Sequence, residues 1–83
     1  MFDFGCQLEK LCYINTMNET ELIETALKKF KDAKRIAVEN FVSTAPDNAY
    51  NNRANLRMDA RLYKWNEHTQ RAIIECLKAL GKY

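Results

Sequence analysis

Between Asn51 and Leu80 the chain repeats apolar side chains at the spacing of a helix that packs against another helix. Met58, Leu62, Trp65, Thr69, Ala72, Cys76 and Leu80 step 4-3-4-3-4-4, with Ile73 and Leu77 widening the stripe. A second stripe runs beside it. Arg53, Arg57, Arg61, Lys64, His68 and Arg71 step 4-4-3-4-3, with Lys78 trailing. Residues three and four apart are neighbours on a helix surface, so these cations form one ridge that repels itself unless an anion or a facing carboxylate offsets it. The stretch predicts a long helix over 51–80, half core and half anion-binding edge.

The segment before it follows the same rule. Asn18 is a good N-cap, and Glu21 at the third helical position completes a capping box. Ile23, Leu27, Phe30, Ala33, Ala37 and Phe41 step 4-3-3-4-4, which predicts a helix over 19–42. Its other side holds Lys28, Lys31 and Arg35, with Glu24 and Glu39 placed for i,i+4 pairs to Lys28 and Arg35. Ser43 to Asn52 is the clear break, with Pro46, the sole proline, and a polar cluster around it. Thr44 to Asp47 has the form of another capping box, so the last helix could begin as early as Ala45. Gly81 is a C-cap signal. Asp3 could cap a first short helix over about 4–13, with Phe4, Leu8, Leu11 and Cys12 inward.

The expected fold is all-α: one domain over 1–83, a short N-terminal helix plus a long antiparallel two-helix hairpin, together a three-helix bundle. At 1.5 Å per residue the two long helices would span roughly 35 and 45 Å. One short helix cannot cover such a hairpin, so an apolar seam should stay exposed, and a homo-oligomer is the expected resolution.

Composition narrows the function. Two glycines, one proline and 29% charged residues fit a globular helical chain rather than a disordered one. The odd count of three cysteines, with no paired spacing, argues against a secreted disulfide framework and against a zinc site. No apolar run has signal-peptide or membrane-span length, so a cytoplasmic protein without a membrane partner is expected. His68, the single histidine, has no nucleophile placed to partner it, and Glu67 and Glu75 lie on different faces. Neither an enzyme nor a cofactor or metal protein is expected. Net charge is only +2, so distribution carries the argument. Arg57, Arg61, Lys64, His68 and Arg71 are the candidate ligand contacts on the ridge. Arginine's planar fork suits phosphate, and Tyr63 on the same helix could stack on a base.

Two local patterns resemble a known family. Tyr13, then Asn18-Glu19-Thr20-Glu21-Leu22, then Lys28 or Lys29, is similar to a Tyr, a Ser/Thr-Glu-x-Glu helix start and a following Lys. His68-Thr69-Gln70-Arg71-Ala72-Ile73-Ile74, leading to Lys78-Ala79, is similar in spacing to a His-x-Gln-Gln-Gly stretch followed by apolar residues and Arg-Ala. Both belong to the small helical phage proteins that sequester the cyclic oligonucleotide signals of bacterial CBASS immunity. Asn66-Glu67 replaces that family's Arg-Thr, and Arg71 and Ala72 replace its second Gln and its Gly. The resemblance implies an oligomeric, non-enzymatic anti-defence sponge. Tyr13 would stack on a nucleobase, Lys29 would contact phosphate, and Arg61 and Lys64 would stand in for the missing Arg. The alternatives are a small helical protein-interaction module, an inhibitor or adaptor, and a protein that binds duplex DNA.

Overall fold

The structure, a computed structural model, describes residues 18–83. The expected helix over 4–13 and Tyr13 lie outside the described residues. Those residues form four helices and no strand: α1 Glu19–Lys29, α2 Arg35–Thr44, α3 Ala49–Leu62 and α4 Glu67–Ala79. The chain is all-α as expected, but each long helix of the expected hairpin is broken in two. No helix among the described residues is long and apolar enough to cross a membrane.

The capping box forms at the start of α1. The Asn18 side chain accepts from the Glu21 N–H at 2.8 Å, and the Glu21 carboxylate accepts from the Asn18 N–H at 3.2 Å. The first correction comes at Phe30, where the expected helix over 19–42 stops without any Gly or Pro. Tertiary bonds replace the helical ones. Asn66 Nδ2 donates to the Asp32 carbonyl at 2.9 Å, and the Lys34 N–H donates to Thr69 Oγ1 at 2.8 Å. Thr69 Oγ1 in turn donates to Asn66 Oδ1 at 2.8 Å. Thr69, counted above with the apolar stripe, is a fully buried polar hub that ties residues 31–34 to the start of α4.

The second correction lies at 63–66, inside the expected helix over 51–80. Lys64 has φ 53°, and the Trp65 N–H reaches back to the Ala60 carbonyl at 3.0 Å. That is a left-handed helix stop of the Schellman type, with lysine where glycine is usual. Asn66 then caps α4, accepting from the Thr69 N–H at 2.8 Å. The stop at the chain's end has the usual residue. Gly81 has φ 73°, with Lys82 N–H on the Leu77 carbonyl at 2.8 Å and Gly81 N–H on the Lys78 carbonyl at 3.1 Å.

The breaks let α1, α2 and α4 close around one core. Ile23 and Ala26 from α1, Val38, Phe41 and Val42 from α2, and Ala72, Ile73, Cys76 and Leu77 from α4 are buried together. Removing each larger side chain from water stabilises the fold by roughly 1.5–3 kcal/mol before entropy is counted. From α3, Leu56 joins this core and Asn52 is the other buried residue. Asn52 Nδ2 donates to the Pro46 and Lys82 carbonyls, both at 2.8 Å. Past Leu56 no residue of α3 is buried, and Met58 and Leu62, expected in the seam, are 66% and 69% exposed.

Candidate functional site

The broken helices leave α2 and α3 joined only by residues 45–48, with an open groove of about 980 Å³ between them. Lys34, Ile36, Ala37, Asn40 and Thr44 line one wall, and Asn52, Asn55, Asp59 and Tyr63 the other. Buried Phe41 and half-buried Trp65 line its base. The Phe41 and Trp65 rings meet edge-on at 5.9 Å, and Tyr63 lies against Trp65 at 5.9 Å with 22° between ring planes. α3 can build this wall because Asn52, Asn55, Asp59 and Tyr63 recur at helical spacing on one face. Asn48 fixes its start, accepting from the Asn51 N–H at 3.0 Å.

The groove holds chemistry suited to a heteroaromatic, hydrogen-bonding ligand. Asn40 and Asn55, both exposed, present amides, which both donate and accept. Asn52 has its NH2 spent on two carbonyls, while its buried Oδ1 meets no donor among the described residues. Asp59 accepts N–H donors, and Lys34 brings positive charge to one end. Apolar walls with a few placed polar groups, in a cleft of roughly 300–1,000 Å³, describe a small-molecule site in general.

Tyr63, expected from the sequence to stack on a base, lines this groove; the expected charged contacts fall into two described sets, and neither does. Lys29, His68 and Arg71 find carboxylates nearby. Lys29 Nζ bonds Glu75 at 2.8 Å and lies 5.5 Å from the centre of the Phe30 ring. His68 Nδ1 lies 3.8 Å from Asp32, with its ring edge-on to Phe30 at 6.1 Å, and Arg71 pairs with Glu67 one turn earlier. Lys29 and Arg71 are already offset by acids of their own surroundings. Arg57, Arg61 and Lys64 are exposed, and among the described residues no carboxylate pairs with them. Arg57 and Arg61 each follow a groove residue by two positions, which turns them about 200° around α3, away from the groove. Arg53 is held by the chain's end, donating to the Tyr83 carbonyl and lying 5.9 Å from its ring.

The sequence reading missed Asn40, Asn52 and Asn55. Their signal was present: amides compete with the helix backbone and are costly in helix interiors, so Asn52 and Asn55 one turn apart ask for a reason. Nucleophilic chemistry finds no support at Cys76. Its thiol is buried and directed at the Leu22 carbonyl at 3.5 Å, and burial, then the nearby Glu75 and Glu19 charges, push its pKa up to about 11. No group of three or more His, Cys, Asp or Glu side chains that could hold a metal occurs among the described residues. No family model, no curated protein and no solved structure matches the chain.

Proposed function

We infer that the chain is a non-enzymatic binding protein that takes a nucleotide-class anion in the α2–α3 groove. The specific form is the one the phage sponge resemblance implies: sequestration of a cyclic oligonucleotide signal. The carrying observation is the groove itself, where the Tyr63–Trp65 pair sits beside the Asn40 and Asn55 amides in about 980 Å³. Aromatic faces stack on any base, and the amides and Asp59 are placed to take its edge. Lys34 offsets phosphate. This reading moves the ligand contacts from the ridge to the groove, and it leaves Lys29 and Arg71 to their ion pairs and His68 to its contact with Phe30.

Trp65 is the single tryptophan, so its fluorescence reports the groove directly. Titrating the full chain with cyclic dinucleotides and trinucleotides should change that emission at saturating ligand. Chromatography should recover the ligand intact. Tyr63→Ala, which removes one stacking face, should weaken binding roughly tenfold, as expected for about 1.4 kcal/mol of lost stacking. A flat emission trace together with no heat by calorimetry at millimolar ligand would sink the reading.

A second reading rests on a different observation. Ile36, Tyr50, Met58, Leu62 and Tyr63 are 60–73% exposed, a concentration of apolar surface around α2 and α3 that suits a partner protein. Under that reading Ile36→Glu abolishes a protein complex, and cyclic nucleotides leave Trp65 emission unchanged.

A further inference from the structure

The outer face of α3 is a separate surface from the groove, and its charge is unusual for this chain. Residues 49–64 hold Arg53, Arg57, Arg61 and Lys64 against one acid, Asp59. The chain has 13 basic and 11 acidic residues, so the rest of it carries nine bases and ten acids. The whole excess of positive charge therefore sits on one helix and its stop. Elsewhere Lys29, Arg35, Arg71 and Lys82 have carboxylate partners. Arg57, Arg61 and Lys64 have none among the described residues, which is equally true of Lys28, Lys31, Lys34 and Lys78, but Arg57 and Arg61 lie one helical turn apart on α3 and Lys64 follows at its left-handed stop.

The same part of α3 is the part without packing. Beyond Leu56 none of its residues is buried, and both Arg57 and Arg61 are exposed. An α-helix with side chains is about 10–12 Å across, which matches the roughly 12 Å width of the major groove of B-form DNA. The deep, narrow major groove of A-form RNA does not admit it.

We propose that the outer face of α3 binds the backbone of duplex DNA, with Arg57, Arg61 and Lys64 as its phosphate contacts. The contact is largely independent of sequence, because phosphate contacts position a protein without reading bases. It uses the face of α3 opposite Tyr63 and Asn55, so it stands or falls independently of the groove ligand.

The test is fluorescence anisotropy of the full chain with a labelled duplex DNA, at KCl concentrations from about 50 to 200 mM. Three phosphate contacts give a slope of log K against log salt near −2.7, an affinity loss of about 40-fold over that range. Arg57→Ala with Arg61→Ala should bring the slope to about −0.9 and the loss to about 3.5-fold. Arg57→Lys with Arg61→Lys, which keeps both charges, should retain the steep slope. Thermal melts should show both double variants folded, since neither arginine has a side-chain partner among the described residues. Absence of binding at 50 mM KCl overturns the proposal. So does a slope that the double alanine variant leaves unchanged, or equal affinity for duplex RNA or heparin, which would make α3 a general polyanion surface.

Discussion

Lys64 carries the most unusual backbone among the described residues, a φ of 53° in a non-glycine. The left-handed region costs an L-residue roughly 1–2 kcal/mol, because Cβ crowds the following carbonyl. Gly81 ends α4 by the same motif with φ 73°, without that cost. Lys64→Gly should therefore stabilise the fold. The larger entropy of glycine in the unfolded chain returns part of the gain. A net gain of about 0.5–1 kcal/mol corresponds to a rise in Tm of several degrees for a domain of this size. Differential scanning calorimetry checks it, and an unchanged or lower Tm would mean that the Lys64 side chain makes up for its strained backbone. The same residue explains why the helix stop was hidden. A lysine at a left-handed cap leaves no mark in the sequence, whereas Gly81 was legible at once.

At the scale of elements, what could be read was local and what was missed is bonded across distance. The Asn18–Glu21 capping box, the i,i+4 pair of Arg35 with Glu39, and the buried stripe Ala72, Ile73, Cys76 and Leu77 follow from spacing alone. The break after Lys29 does not, because Asn66 and Thr69, more than 30 residues away, supply the bonds that hold it. Asn66 itself was a readable N-cap, masked by an apolar stripe that runs in register through it. The groove depends on both breaks, so its walls could not be foreseen. The first break also redirects an ion pair. Glu24, expected to pair with Lys28 on its own helix, instead takes Arg35 from α2, with one bond at 3.1 Å. That hydrogen bond lowers the Glu24 pKa from its ordinary 4.5, with the Arg35 and Lys28 charges helping. A carboxylate whose pKa is lower in the folded state adds stability above its ordinary value and loses it as pH falls through the lowered one. The α1–α2 tie should therefore weaken on acidification. Thermal melts of the wild type and Glu24→Gln between pH 7 and pH 3 check this: their Tm difference should be largest at neutral pH and narrow below about pH 4.5. A constant gap would show that the carboxylate's charge does not matter there. Both partners are exposed, so the effect at neutral pH is small.

For the whole molecule, the expected hairpin argued for self-association because its length outran its cover. The broken helices remove that premise, since α1, α2 and α4 now enclose their own core. They replace it with another. A core this small supplies only a thin margin, roughly 3–5 kcal/mol without staples. Yet α3 leaves Met58 and Leu62 exposed one turn apart, where a second copy could cover them. A homo-oligomer formed there gains apolar burial, but it brings Arg57 and Arg61 of both copies together, so salt should strengthen it where it weakens DNA binding. Light scattering across a hundredfold range of concentration, at low and high KCl, should show a mass above the monomer that grows with both variables. Leu62→Glu should return it to the monomer without lowering the melting temperature measured at high dilution. A monomer mass at every concentration and salt would instead leave the α3 face open, and the same helix would then be free for nucleic acid without first shedding a partner.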